Sequence, residues 1–380
     1  MKDIPHLALH GFRGGREEKH MIFFRNDYGE GCIEPILKLL QEKNEEQNPG
    51  YGTDDYCARA AQLIQSKLPD TPADIHFIAS GTLTNVVMIR HVLRPFEVVI
   101  AADSAHIATH EGGAIEASGH KIITMPASSG KLTAMALRKA IHNIVNDESS
   151  YLVPKLVYIS NATELGTVYT RTELEEISAI CKENNMYLMI DGARMAQALM
   201  SGIDYTLNDI AKWADLFWIG GTKNGALFGE AVVITNDALK PHFRLIQKQS
   251  GAILAKGWLL GLQFIGLFEH DDFYKYAKYA NDLASIIQNE AVRLGYPLFM
   301  KTTTNQLFLV LDQTQYDYLK DKVDFEIWTN WDENIVIRLV TSWNTSKTAV
   351  STLCQYLQLA MDLSKKNDED SQDKEEVTEE

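Results

Sequence analysis

The chain has 380 residues, enough for a large buried core and for one large domain with a smaller one. Its composition, 45% hydrophobic and 23% charged, is that of a soluble globular protein, and no apolar run reaches the roughly 18 residues that a membrane span needs. The formal net charge of −15 disfavours nucleic acid and anionic membranes as partners, because both would repel the protein. We therefore expect a cytoplasmic protein whose partners are small molecules or further copies of itself.

Both ends of the chain differ from its body. Residues 1–20 lack the apolar stretch of a signal peptide and show no clear period, so we interpret them as a non-native or disordered leader. Codons for the segment GREEKHM can spell a purine-rich ribosome-binding sequence just ahead of an ATG, and we expect Met21 to be the native start. Residues 365–380 are nearly all charged or polar and predict a disordered acidic tail.

Between these ends, short apolar runs alternate with amphipathic helical stretches. In chain order the strand-like runs are ADIHFIASG, EVVIAADSAH, HKIITMPAS, PKLVYISNATE, MYLMIDGAR, DLFWIGGTK and GEAVVIT. This alternation predicts a mostly parallel sheet with helices on both faces. It ends near residue 255, where a long helical region leads to the runs TNQLFLVLD, DFEIWTNW and NIVIRLVTSW. We therefore predict an α/β large domain over residues 21–255 and a small α+β domain over 256–364.

The four cysteines show no C-x-x-C pair and no His-rich neighbourhood. The sequence therefore predicts no metal site and no disulfide framework. Each cysteine is better interpreted as a small core residue than as a catalytic thiol.

Ligands of open α/β sheets bind beyond the carboxyl ends of the strands, so the residues that follow each strand are the candidates for function. The first strand leads to Ser80, Gly81 and Thr82 at the start of a predicted helix. Backbone N–H groups and the helix dipole favour a phosphate there, although a simple capped turn has the same pattern. Neither a Walker A nor a dinucleotide-binding glycine spacing is present.

The next strand ends lead to titratable side chains. His106 follows one strand, and it is suited either to stacking on a planar ring with proton transfer or to a structural role. Asp191 follows another, and as a buried carboxylate it needs a partner, either a protonated ring nitrogen or Arg194. Lys223 follows the apolar run that ends in two glycines.

Taken together, these groups are the parts of a pyridoxal phosphate site. Such a site needs a phosphate cradle, a ring-facing histidine, an acid for the pyridinium nitrogen and a partly desolvated lysine. The order is S-G-T, His, D-G-A-R and Lys, with about thirty residues between Asp191 and Lys223. We regard this order and spacing as specific, whereas any one of the four groups alone is weak evidence.

From about residue 24 to about residue 346, the chain resembles the low-specificity L-threonine aldolase family. These are fold-type I pyridoxal phosphate enzymes in the group of β-eliminating lyase relatives. The motifs that carry the resemblance are FRND, GYGTDDY, SGTLTN, HIATHEGGA, DGAR and GGTKNGALFG. The resemblance implies that Lys223 holds the cofactor covalently and that Asp191 pairs with its ring nitrogen. It also implies that Gly81 and Thr82 hold the phosphate and that His106 stacks on the ring.

The same resemblance implies a substrate and a reaction. Arg194 and Arg338 would bind the substrate carboxylate, with Asn26 beside them. The reaction would be retro-aldol cleavage of a β-hydroxy-α-amino acid such as threonine, and His106 would handle the hydroxyl proton, with His110 and Glu111 as further candidates. β-Elimination, transamination and racemisation stay open, because all begin on the same cofactor, and so does a non-catalytic binding role.

The family forms homo-oligomers, usually a tetramer built from dimers that share active sites. Tyr51, Lys248 and Lys256 are the candidates for residues given to the neighbouring subunit. The chain also departs from the family pattern. Asn26 replaces the serine of F-R-S-D, SNATELG replaces E-N-T-H-N, and Thr222 replaces the serine before the lysine. The arginine of G-G-G-M-R-Q is missing, with Lys256 as its possible substitute.

Overall fold

The structure, a computed structural model, describes residues 21–147, 149 and 151–378, and the predicted leader lies outside the described residues. The strands are β1 (Ile22–Phe23), β2 (Asp74–Ile78), β3 (Glu97–Ala102), β4 (Lys121–Met125), β5 (Val153–Ser160), β6 (Tyr187–Asp191), β7 (Leu216–Gly220), β8 (Glu230–Ile234), β9 (Leu298–Met300), β10 (Gln306–Leu311), β11 (Val323–Asp324), β12 (Glu326–Trp331) and β13 (Asn334–Val340). The helices are α1 (Glu34–Lys43), α2 (Asp55–Gln65), α3 (Gly81–Val92), α4 (His106–Thr109), α5 (Ala114–Ala117), α6 (Ala134–Val145), α7 (Arg171–Glu183), α8 (Met195–Leu199), α9 (Leu207–Trp213), α10 (Phe243–Gln249), α11 (Trp258–Phe268), α12 (Asp272–Leu294), α13 (Gln313–Leu319) and α14 (Lys347–Thr378). In this part of the chain no helix is both long and apolar enough to cross a membrane.

Seven strands form the main sheet, in the order β2-β8-β7-β6-β5-β3-β4. Neighbouring strands pair in parallel except at β8, which runs antiparallel to β7 and β2. The predicted α/β sheet is confirmed, with one reversed strand. The strand is reversed because only the short loop 221–229 joins β7 to β8, whereas a parallel connection needs a crossover of about a dozen residues or more. The reversal brings Glu230, the first residue of β8, to the edge where the parallel strands end.

The main sheet is covered on both faces. Strands β3, β7 and β8 are buried along their whole length, as expected for a sheet between two layers of helices. The sequence also sets where these helices begin. α7, predicted from TRTELEEISAICKENN, starts with a capping box in which Thr170 and Glu173 satisfy each other's backbone N–H groups.

The helix α11 packs into the same core as the main sheet, whereas the predicted boundary after residue 255 assigned it to the small domain. Its residues from Leu260 to Phe268 are all buried. It lies so close to α2 that a Cβ atom on Gly261 would be 2.4 Å from the backbone nitrogen of Cys57. A helix that is apolar on every side must be buried on every side, so the core of the large domain continues as far as Ala277.

The small domain is built on the antiparallel sheet β12-β13-β10-β9 and has a core of its own. The N-terminal segment joins this core, because β1 pairs in parallel with β11 and Phe24 is buried there. The helix α14 continues to Thr378, and its last buried residue among those described is Ser364. The structure thus extends a helix into the segment predicted as a disordered tail, a conformation that its Lys and Glu residues favour.

Candidate active site

The carboxyl ends of the parallel strands and the start of β8 surround a cavity of about 470 Å³. The predicted site residues on its wall are Ser80, Gly81, Thr82, His106, Asp191, Arg194 and Lys223. Four strand ends that are far apart in sequence therefore meet at one place. The other predicted site residues, Asn26, Arg338, Tyr51, Lys248 and Lys256, do not line this cavity.

The first turn of α3 forms one side of the cavity. Ser80 is the N-cap residue, with an extended backbone, but its side chain makes no capping hydrogen bond. The N–H groups of the first turn are therefore available to a ligand, and the helix dipole adds partial positive charge. A Cβ atom on Gly81 would lie 3.1 Å from the indole ring of Trp218, so glycine lets the turn approach the ring. The start of α3 therefore has the geometry that phosphate binding needs, and the phosphate-binding role of Ser80, Gly81 and Thr82 stays a prediction.

Asp191 ends β6 and is only 3% exposed. Its Oδ2 accepts hydrogen bonds from the Tyr158 hydroxyl and, over 3.1 Å, from Asn85 Nδ2, and its Oδ1 accepts one from the backbone N–H of Ala193 at 2.9 Å. No Lys or Arg of the described chain forms an ion pair with it. A buried carboxylate with only neutral donors is suited to a cationic ligand.

Arg194 has a different partner from the one considered in the sequence. Its Nε and Nη2 donate to the two oxygens of Asp27, at 2.7 and 3.0 Å, and Asn305 donates to the same carboxylate at 2.9 Å. Burial acts to raise the pKa of Asp27, but the charges of Arg194 and Lys223 and these hydrogen bonds outweigh it and lower that pKa. Of the two candidate partners for Asp191, Arg194 is thus committed to Asp27, and its Nη1 is left for a ligand.

Arg338 lies just outside the cavity wall, in β13. Its guanidinium pairs with Glu326, donates from Nη1 to Gln306 over 3.4 Å, and stacks 5.4 Å from the ring centre of Trp328. Burial and the nearby charge of Arg194 lower its pKa. Asn26 uses its Oδ1 to accept the backbone N–H of Tyr28. A role in substrate binding stays a prediction for both residues.

Lys223 lies in the 3₁₀ turn Thr222–Asn224 that follows β7. Gly220 and Gly221 before it allow the backbone to pass close to neighbouring carbonyl groups. A Cβ atom on Gly220 would be 2.4 Å from the carbonyl oxygen of Ala193, and one on Gly221 would be 2.6 Å from that of Gly229. Burial, followed by the charge of Arg194, lowers the pKa of Lys223 to about 8. A substantial fraction of its amine is therefore neutral near physiological pH, as a nucleophilic lysine requires.

His106 is held by a chain of buried hydrogen bonds. Its Nδ1 lies 2.8 Å from Oε1 of Glu111, which also accepts Asn85 Nδ2 at 2.8 Å. Asn85 in turn connects to Asp191 and accepts Trp218 Nε1 at 3.1 Å. The side chain of Glu111 is fully buried behind the histidine and does not line the cavity, so it orients His106 rather than meeting a substrate.

His110, a further sequence candidate, does line the cavity. Its ring stacks on that of His106, with centroids 5.5 Å apart and planes 15° apart, and its other neighbour is the ring of Trp328 at 6.2 Å. Its Nδ1 is 2.6 Å from the hydroxyl of Thr109. Burial, with the charge of His106, lowers the pKa of His110. One face of His106 is therefore covered by another imidazole.

Two cavity carboxyl groups, Glu164 and Glu230, were not among the sequence candidates. Glu230 accepts the backbone N–H of Gly221 at 3.0 Å and the hydroxyl of Thr222 at 2.8 Å, which closes the base of the loop that carries Lys223. Burial raises its pKa to about 8. The sequence did carry a signal for each: a charged residue opening the apolar run GEAVVIT, and a glutamate within the unusual segment SNATELG.

The candidates for sharing with a neighbouring subunit lie elsewhere. Tyr51 lines a second cavity of about 230 Å³, and the Nζ of Lys248 is 4.4 Å from its ring centre. Lys256 is exposed. None of the three reaches the site cavity of its own chain, so their role stays a prediction.

The residues on the cavity wall fit pyridoxal phosphate. The helix N-terminus at Gly81 suits a phosphate, the neutral donors around Asp191 leave its charge for a pyridinium, and Lys223 lines the cavity with a lowered pKa. All three groups line one cavity of about 470 Å³, so a single ligand bound there can contact each of them.

Comparisons with known proteins agree on one family. The model of the family Beta-eliminating lyase matches residues 42–314. The low specificity L-threonine aldolase of Pseudomonas sp. (strain NCIMB 10558) is 29% identical over 343 residues, covering 89% of this chain and 97% of the relative. The solved structure of Leishmania major threonine aldolase is 44% identical with a TM-score of 0.87, covering 90% of this chain and 99% of that one. An SPT solved with PLP, at 16% identity and a TM-score of 0.66, covers 90% of this chain and 87% of its own, and shows the fold alone.

Proposed function

Because this chain belongs to the β-eliminating lyase family and, within it, to the threonine aldolases, we propose that it cleaves a β-hydroxy-α-amino acid by a retro-aldol reaction. L-Threonine or L-allo-threonine would give glycine and acetaldehyde. The observation that carries the proposal is the single cavity in which a half-buried Lys223, a buried Asp191 and the N-terminus of α3 meet.

The cofactor of the proposed reaction is pyridoxal 5′-phosphate. When bound, it supplies an electron sink for the bond that is broken at the substrate Cα. Lys223 would hold it covalently, Asp191 would keep its ring nitrogen protonated, and Ser80, Gly81 and Thr82 would hold its phosphate. The short hydrogen-bond network around Asp191 keeps this carboxylate in place without neutralising it.

Substrate orientation is assigned to the arginines. Asp27 fixes the guanidinium of Arg194 in a bidentate pair, so that its remaining Nη1 presents a positioned donor to the substrate carboxylate. Arg338, whose pKa is lowered by burial and by the charge of Arg194, and Asn26, next to Asp27 in the chain, would extend this carboxylate site. Because a carboxylate can only accept, His106 donates from Nδ1 to Glu111, which leaves Nε2 for a ligand.

We also propose that the protein is a cytoplasmic homo-oligomer, a dimer or a tetramer. Tyr51, Lys248 and Lys256 lie on the surface away from their own site, which supports a contribution to the neighbour's site. The exposed apolar side chains of Tyr28 and Leu227, near the cavity mouth, support a subunit contact there. Light scattering of the purified protein measures the oligomer size.

The activity is tested with protein loaded with pyridoxal phosphate and supplied with L-threonine. Acetaldehyde is measured through the oxidation of NADH by alcohol dehydrogenase, and pyruvate from serine and cysteine is measured alongside. A panel of β-hydroxy amino acids with separated stereoisomers then defines the substrate. Pyruvate without acetaldehyde would establish the alternative, a β-eliminating lyase. Lys223→Ala should abolish the cleavage. Its matched control is Lys139→Ala, which removes an exposed lysine that does not line the cavity.

A further inference from the structure

Glu164 is fixed at the cavity wall by two hydrogen bonds to one of its oxygens. It lies in the loop after β5, and its Oε1 accepts the hydroxyl of Ser160 at 2.6 Å and the backbone N–H of His106 at 2.9 Å. The loop around it is anchored to the small domain, since Gln306 Nε2 donates to the carbonyl of Thr163. A carboxyl group held in this way is positioned before any ligand arrives.

The second oxygen of Glu164 is accessible to a ligand. Oε2 accepts no hydrogen bond from another described residue, and it is not among the polar atoms that are sealed from solvent. The residue as a whole lines the cavity beside His106 and Asp191. One oxygen is thus a fixed anchor, and the other is open to a ligand.

The other carboxyl groups of the site are already committed. Both oxygens of Asp191 and both oxygens of Glu230 accept hydrogen bonds from the protein. Glu111 is sealed behind His106. Among the described carboxyl groups that line the cavity, only Glu164 therefore has an oxygen free to exchange a proton with a ligand.

The surroundings of Glu164 raise the pKa of its carboxyl group. Burial, together with the negative charge of Asp191 at the end of β6, raises its pKa above the ordinary value for a glutamate. The other titratable groups around it are His106 at the start of α4, Tyr158 in β5, Tyr169 after the loop, and Lys223 across the cavity. A base whose pKa is raised toward the working pH can both accept and release a proton during turnover.

We propose that Glu164 is a catalytic residue that accepts the proton of the substrate β-hydroxyl during the cleavage, an inference that rests on the proposed function. The O–H bond breaks toward Oε2 of Glu164, the C=O bond of the aldehyde forms, and the Cα–Cβ bond breaks. The electron pair of that bond remains with the glycine fragment, whose Cα takes up one proton from solvent. Glu164 releases its proton to solvent, so protons and electrons balance over one turnover and nothing is oxidised or reduced.

His106 is less suited to this proton transfer. Its Nδ1 is bound to Glu111, and one of its faces is covered by His110. When its other face stacks on a planar cofactor, Nε2 is presented only along the ring edge. The open oxygen of Glu164 has no such restriction.

The decisive variant is Glu164→Gln, which keeps an oxygen for the Ser160 and His106 donors but cannot accept the proton. Two reactions of the loaded enzyme are compared: cleavage of L-threonine, and exchange of a glycine α-hydrogen with D₂O followed by proton NMR. Only the cleavage needs a base for a β-hydroxyl. We expect kcat/KM for threonine to fall about 100-fold or more. Glycine exchange and the Kd for pyridoxal phosphate, measured by spectroscopic titration, should change less than about threefold.

The pH profile gives an independent measurement. Cleavage by the wild type needs ionised Glu164, so its kcat/KM should fall on the acid side as this carboxyl becomes protonated, and Glu164→Gln should lose this acid limb. The exposed Glu116→Gln is the matched control and should behave as wild type in every assay. Glu164→Asp, which retains a carboxyl, should keep the acid limb at a lower rate.

The outcomes separate this inference from the proposed function. If the wild type cleaves threonine and Glu164→Gln cleaves it equally well, Glu164 is not the base and the proposed function stands. If exchange and cleavage fall together, the residue has only a structural role and the inference is again overturned. If Glu164→Gln does not fold, as judged by circular dichroism, the presence or loss of the acid limb in Glu164→Asp decides. A wild type without cleavage of any β-hydroxy amino acid overturns both.

Discussion

Replacing Asp27 by asparagine tests how much the buried Arg194 pair contributes to stability. The side chain of Asp27 is fully buried and that of Arg194 is 9% exposed. The substitution keeps the shape but removes the negative charge, so the guanidinium becomes a buried cation without a counter-charge, close to Lys223.

The expected loss is large for a single substitution. Breaking a buried ion pair by removing one partner costs about 3 to 5 kcal/mol, mostly because the remaining charge is uncompensated. An asparagine can still accept one hydrogen bond from Arg194, so we expect the lower end, about 3 kcal/mol. That is roughly a hundredfold in the folding equilibrium, against a total stability of about 5 to 15 kcal/mol for a typical domain. Asp27 also raises the pKa of Lys223, so the variant should lower that pKa further.

Urea unfolding of the wild type and of Asp27→Asn, followed by circular dichroism at several pH values, measures the difference. The folded pKa of Asp27 is below its ordinary value of 3.8, so its contribution is complete above that pH and is lost as the pH falls through the folded pKa. The difference between the two proteins should therefore be complete near pH 6 and shrink below about pH 4.

The exposed pair of Arg171 and Asp204 provides the control, because Asp204 is 73% exposed. Asp204→Asn should cost less than about 1 kcal/mol. A loss of less than about 1 kcal/mol for Asp27→Asn as well would show that Arg194 is solvated or has another counter-charge, and would refute the reasoning.

Three further variants test other parts of the site. Lys223→Ala should abolish threonine cleavage with an unchanged circular dichroism spectrum, whereas Lys139→Ala should retain full activity. Turnover by Lys223→Ala above about one per cent of the wild-type rate would exclude Lys223 as the covalent anchor. Glu230→Gln should gain stability relative to the wild type as the pH rises from about 5 to about 8, because the folded wild type keeps its carboxyl protonated up to a pKa of about 8 whereas the unfolded chain releases that proton. Parallel pH dependences in urea unfolding would contradict this. Gly81→Ala should weaken pyridoxal phosphate binding about tenfold in a spectroscopic titration, since its methyl group would meet the Trp218 ring at 3.1 Å; unchanged binding would mean that the indole can move aside.

The positions of the strands along the chain could be predicted from the sequence, because the apolar pattern that identifies a buried strand is local. Seven apolar runs gave the seven strands of the main sheet, and the parallel pairing brings their carboxyl ends to one edge. Gly81, His106, Asp191 and Lys223 all follow such strands, so their meeting in one cavity was predictable. The boundary after residue 255 stays a prediction, because the sequence of a helix such as α11 shows that it is buried but not against which core it packs.

The partners of the site residues were decided only by the tertiary structure. Asp27 and Arg194 are 167 residues apart in the chain, and no local pattern identifies them as a pair. The reversal of β8 brought Glu230 to the loop that carries Lys223. Asn85, in α3, connects Glu111 and Asp191 through hydrogen bonds from its side-chain amide. Hydrophobic periodicity reports how deeply a residue is buried, whereas the free energy of a buried charge depends on which groups face it. The sequence by itself therefore determined which strand ends meet at the site, and packing over long distances decided which side chains there are neutralised and which, such as Glu164, keep an oxygen without a partner in another described residue.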